Sequence, residues 1–215
     1  MSAAGPPQGA NYPGVRSAEG TPMTTVRFVA AALAALCAFA APGAAAKERP
    51  PPDTATYEAL FTPGDAIDAH LVALIDGARR EVLVQAFSFT SRRIARALGA
   101  AHHRGVKVEV LADRAQTFEL PGSAVPALAR DGVPVWLDGN YAAAHNKVVI
   151  VDAGTPAATL VTGSYNYTVA AQAKNAENVL IVRGDAALAA QYRDNFVRLR
   201  ERATRYDGAG PRSAR

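Results

Sequence analysis

The chain has 215 residues, 49% of them hydrophobic, and a formal charge of +4 from 23 Lys and Arg against 19 Asp and Glu. That length holds one ordinary globular domain with a real core and argues against a second full domain. The modest basic excess is compatible with a polyanionic partner without demanding one, and the single cysteine, Cys37, excludes a disulfide framework or a thiolate metal centre.

Residues 1–22, rich in Gly, Pro, Ala and Ser, read as an over-extended start or a disordered tail. Residues 23–46 have the form of a secretory signal peptide: Arg27 in a short basic region, an apolar run from Phe28 to Ala41, a Pro42-Gly43 break, and Ala44-Ala45-Ala46 as the processing site. Cleavage is expected after Ala46, which implies a secreted or periplasmic protein. Residues 47–56, with Pro50-Pro51-Pro52, read as an extended linker.

The domain is expected over 57–206. A short strand at Tyr57 to Phe61 gives way at Pro63-Gly64 to a helix with Asp65 near its start and Ile67, Leu71, Leu74, Ile75 and Ala78 on one stripe. Glu81 to Phe89 reads as a buried strand, and Ser91 caps a helix whose apolar positions are Ile94, Ala97, Leu98 and Ala101, ended by Gly105. A strand Lys107 to Ala112, a helix with Val125, Leu128 and Ala129, and a strand Val133 to Leu137 follow. This alternation predicts an α/β fold: a mixed, partly parallel sheet with helices on both faces. From His145 the spacing shortens into strands His145 to Val151, Ala158 to Thr162 and Asn178 to Arg183, then an amphipathic helix opened by Asp185 with Leu188, Tyr192, Phe196 and Leu199. Residues 207–215 read as a basic, disordered tail.

Chemistry concentrates between Tyr141 and Asn178. His145 and Lys147 are two residues apart ahead of an apolar run, so in a strand they share a face. Cleaving a phosphodiester without a metal needs a nucleophile for phosphorus, positive charge and donors for the non-bridging oxygens, and an acid for the departing alkoxide. His145 can supply the nucleophile, Lys147 the charge, and Ser164 and Asn166 neutral donors. Glu177 can accept a hydrogen bond from the far ring nitrogen and hold the tautomer. Asp152, seven residues from His145, falls on the opposite side of a regular strand, so a structural, orienting or interface role is expected of it.

Plainer readings stand beside these. Arg92, Arg93, Arg96, Arg104 and Lys107 can track a phosphate backbone or form a solvated face. Tyr165 and Tyr167 can stack on bases or pack in the core; Trp136 reads as core or interface. His102 and Asp113 have no spacing with metal logic. His70 and the pair His102-His103 lie on helices.

The set His145, Lys147 and Asp152, spaced His-x-Lys-x4-Asp, with Gly163-Ser164-Tyr165-Asn166 and Glu177-Asn178 downstream, resembles the single-motif members of the phospholipase D superfamily, of the bacterial Nuc-type endonuclease group. The similarity runs from about Phe61, through Gln85-Ala86-Phe87-Ser88-Phe89-Thr90, to the last helix. The resemblance implies the phospholipase D/nuclease-like fold, a catalytic set of His145, Lys147, Asp152, Ser164, Asn166 and Glu177, a covalent phosphohistidine at His145, and no cofactor or obligate metal. It also implies a second histidine as acid and then base. With one motif per chain, that histidine has to come from a second copy, so a homodimer with a composite site is expected. The expected function is non-specific cleavage of DNA or RNA. Hydrolysis of phospholipid is the alternative, and a nucleic-acid-binding protein without turnover is the third reading.

Overall fold

The computed structural model describes residues 55–210. The expected tail beyond Gly210, the leader and most of the linker lie outside them. In chain order the elements are β1 (Thr56–Thr62), α1 (Ile67–Gly77), β2 (Glu81–Ala86), α2 (Arg92–His103), β3 (Lys107–Asp113), α3 (Arg114–Glu119) and α4 (Val125–Arg130). They continue with β4 (Val135–Asp138), β5 (Val148–Val151), β6 (Thr159–Gly163), α5 (Val169–Ala173), β7 (Glu177–Arg183), α6 (Ala186–Arg202) and β8 (Thr204–Tyr206).

The strands form one eight-stranded sheet in the order β1-β7-β6-β5-β2-β3-β4-β8. β2, β3 and β4 run parallel, joined by helical crossovers; every other pairing is antiparallel. Strand alternation sends Val82, Val84, Val108, Val110, Val149 and Ile181 to one face, where they pack with Ile67, Leu71 and Ile75 of α1, Ile94 and Leu98 of α2 and Leu128 of α4. Leu83, Leu111, Val148, Ile150, Leu160 and Val182 go to the other face, under Phe196 and Ala189 of α6. Both faces of β2 and β5 are covered, which is why β5 and the Val82–Val84 centre of β2 read as unbroken apolar runs and not as alternation. Side chains such as Ile150 and Phe196 are fully buried and contribute roughly 1.5–3 kcal/mol each.

The helix starts follow their capping residues. Ser91 Oγ accepts from the amide of Ile94 at 3.3 Å, and Asp185 Oδ1 from that of Leu188 at 2.9 Å. The mixed, partly parallel sheet covered on both faces matches the expectation, with three local differences. β2 ends at Ala86, because the chain bends at Phe87 and Ser88 before Phe89 bridges to Tyr167. β5 begins only at Val148, so His145, Asn146 and Lys147 precede the strand. β8 is a strand that the sequence does not show; it pairs antiparallel with β4 and closes that edge of the sheet.

Candidate active site

The parallel strands β2, β3 and β4 end on one edge of the sheet, the edge at which an open α/β sheet presents its ligand crevice. The registers bring the other motif residues to the same edge. Val148 at the start of β5 pairs with Gln85 near the end of β2 and with Thr162 near the end of β6. Gly163 pairs with Val179, and the Ser164 amide bonds to the Asn178 carbonyl at 3.0 Å. A Cβ at Gly163 would run into that carbonyl, so the close approach of β6 to β7 at this point requires glycine.

His145 is exposed and Lys147 is buried. The lysine Nζ lies 2.7 Å from the His145 carbonyl oxygen, to which it donates, and 3.0 Å from Nδ1 of the same residue. The two side chains meet as the two-residue spacing suggests, but through a loop that curls back and not through strand alternation. Phe87 packs on this pair, its ring centroid 4.3 Å from the imidazole and 4.7 Å from Nζ. Burial holds the lysine below its ordinary value of 10.5, and the negative charge of Glu177 pulls it part of the way back. A charged Lys147 can only donate, so Nδ1 accepts and a neutral ring carries its proton on Nε2.

Ser164 and Glu177 are linked directly. Ser164 Oγ donates to Glu177 Oε2 at 2.6 Å and accepts from the Asn178 amide at 3.1 Å. The other carboxylate oxygen accepts from Asn175 Nδ2 at 2.9 Å. The expected bond from the His145 ring to the Glu177 carboxylate is not made: Nδ1 faces Lys147, and the carboxylate accepts from Ser164 and Asn175. Ser164 likewise spends its one hydroxyl proton on Glu177, where a phosphate donor was expected. Asn166 Oδ1 accepts from the Ser88 amide at 3.3 Å, which ties the loop after β6 to the bend after β2.

Asp152 lies at the other end of β5. Its carboxylate accepts from the backbone amides of Arg79, Arg80 and Glu81 at 2.7 to 3.3 Å, and its backbone has φ +50°. It fastens the start of β2 to the end of β5 and is not brought to the site edge. Tyr165 and Tyr167 are buried, with hydroxyls bonded to Gln172 and to the Gln85 carbonyl, and burial pushes both hydroxyls up; the base-stacking reading is not available to them. Trp136 sits between Arg200 and Arg205. Of the basic stretch, Arg93 pairs with Asp68, Arg104 caps carbonyls of α1, and Lys107 pairs with Glu109. Arg92 and Arg96 remain exposed and line a groove with Arg130. His70 is on α1 and His102 and His103 end α2. Among the described residues no three His, Cys, Asp or Glu side chains converge as a metal-holding group.

Three residues named in the sequence reading were given no role at this edge. Asp113 caps α3 through the Gln116 amide at 2.8 Å and accepts from the Ala144 amide at 2.8 Å with its other oxygen, which fixes the residue before His145. An aspartate between a buried strand and a polar helix is a capping signal, and that much was available. Phe87 gave no signal beyond its apolarity. Gln85 did: it is a polar residue directly following the apolar run Val82–Val84 of a buried strand.

The family described as "Cardiolipin synthase, PLD-like domain" matches residues 71–200. A phospholipase D of Rickettsia bellii is 36% identical over 137 residues, 64% of this chain and 65% of that protein. A mitochondrial cardiolipin hydrolase of Xenopus laevis is 37% identical over 137 residues, 64% of this chain and 62% of that protein. The chain thus spans just under two thirds of the length of these relatives. Among solved structures, Nuc, a phospholipase D family member from Salmonella typhimurium, superposes with a TM-score of 0.65 and 29% identity, over 71% of this chain and 98% of that one.

Proposed function

The chain belongs to the phospholipase D superfamily, and on that premise we propose that it is a metal-independent phosphodiesterase, an endonuclease acting on DNA or RNA through His145. One observation carries the chemistry: an exposed imidazole held against a buried lysine at the crevice edge of the sheet, with the Ser164–Glu177 pair on the neighbouring strands.

His145 Nε2 attacks phosphorus and the bond to the leaving oxygen breaks, while a second imidazole gives that oxygen its proton. Water then attacks the phosphorus–nitrogen bond, the second imidazole takes the water's proton, and His145 is released. Lys147 supplies positive charge for the non-bridging oxygens, strengthened by its burial. With Nδ1 accepting from Lys147, the resting ring is the Nε2–H form, which donates. The nucleophilic ring needs its proton on Nδ1, so phosphate entry has to draw Lys147 away. Ser164 and Asn166 orient this edge through Glu177 and Ser88.

The second imidazole is His145 of a second protomer in a homodimer. An apolar strip supports this: Tyr57, Phe61 and Leu180 are 53%, 57% and 40% exposed on one face of β1 and β7, and Phe61 pairs with Asn178 at the site edge. Polymer substrate is supported by the exposed arginines 92, 96 and 130 and by the near-complete coverage of the small Nuc fold. The leader-like residues 23–46 support export. Phospholipid hydrolysis is the second reading, favoured by the names of the Rickettsia and Xenopus relatives. Incubation with plasmid DNA, RNA and phospholipid vesicles in EDTA separates the two. Cleaved nucleic acid is expected; hydrolysis of vesicles alone would replace the reading, and loss of all activity with chelator would contradict metal independence.

A further inference from the structure

Gln85 is 3% exposed, and neither Nε2 nor Oε1 of its side chain has a hydrogen-bond partner among the described residues. Buried polar groups without partners are rare and carry a cost that leucine at the same place would avoid. The residue lies on β2 between Val148 and Leu111, both of which face α6. There it lines a cleft of about 450 Å³ shared with Asp138, Tyr141, His145, Asn195 and Leu199. That volume falls in the range of ligand sites, roughly 300–1,000 Å³. Gln85 and the proposed nucleophile therefore line the same cleft, with the orphaned amide covered at its wall.

The chemistry of the lining excludes some occupants. A phosphate is disfavoured beside the buried Asp138 carboxylate. An acyl chain would leave the amide unsatisfied. A primary amide offers one donor and one acceptor side by side, which matches the paired groups on a nucleobase edge, and rotation of the amide matches either order. Tyr141, half exposed at the rim, offers a ring against which an unstacked base can lie. We infer that this cleft is a nucleobase subsite beside the scissile phosphate, with Gln85 as the residue that reads the base edge. The inference rests on the nucleic-acid reading above and narrows it: the substrate is taken with a base out of the stack, so single-stranded or locally opened polymer is preferred.

The test uses dinucleoside monophosphates, which have a single phosphodiester, with the nucleobase replaced by hydrogen on one side or the other, against wild type, Gln85→Leu and Gln85→Met. In wild type, removing the base on one side is expected to lower kcat/KM by about tenfold or more, the scale of a bidentate base contact. In both variants that penalty shrinks towards onefold. Equal penalties in wild type and variants would overturn the inference, as would a loss in the variants confined to hydrolysis of phosphatidylcholine vesicles, which would mark a headgroup site. Failure of wild type to cleave any of the intact dinucleotides would instead remove the nuclease reading itself.

Discussion

Lys147 carries the site's positive charge at an energetic cost, because burial opposes its protonated form. Below the lowered folded-state value, folded and unfolded chains both hold the proton and the penalty is fully present. Between that value and 10.5 the folded chain has released it while the unfolded chain has not, so stability rises with pH across that window. Comparing wild type with Lys147→Met in urea melts from pH 7 to 10.5 should show wild type gaining relative to the variant as pH rises. A constant difference would mean that the lysine is not desolvated. Turnover should show the opposite slope, with an alkaline limb setting in below 10.5 as the charge is lost. The His145 and Lys147 pairing was readable from spacing alone, whatever local geometry produced it. The partner of Glu177 was not, because it depends on which strand lies beside β7 and in what register.

At the scale of elements, the apolar runs of β2 and β5 and the capped helices α2 and α6 were readable because burial on both faces and capping leave direct marks in sequence. α3 and β8 were not: α3 has six residues, of which only Thr117 is buried, and β8 is a three-residue edge strand with mostly exposed side chains. A separate role for Asp152 was expected from strand parity, but His145 precedes β5, so the separation comes instead from Asp152 lying just past the far end of the strand, its carboxylate on three amides that join β2 to β5. Asp152→Ala would leave those amides without an acceptor and should cost about 3 kcal/mol. For a domain of this size that lowers Tm by about 6–12 °C, as differential scanning calorimetry would read, while kcat per folded molecule at a temperature well below the transition changes little. A collapse of kcat with unchanged Tm would return Asp152 to the chemistry.

At the scale of the whole molecule, the proposed two-fold assembly is supported by one motif per chain and an apolar strip beside it. The strip itself was hidden in the sequence, since Tyr57, Phe61 and Leu180 read as ordinary strand residues until β1 was seen to pair with β7 at the open edge. Phe61→Asp should shift the protein to monomer in analytical ultracentrifugation and lower activity per chain at least tenfold; a monomer that retains full activity on dilution would contradict the composite site. Covalent catalysis by His145 is read directly by mass spectrometry of the peptide spanning residues 141–151 after acid-free quenching of turnover on DNA in EDTA. A phosphoryl adduct on His145 that appears with substrate and decays on the timescale of turnover is the predicted result. An adduct on another residue, or sustained cleavage with His145 replaced by alanine, would contradict it.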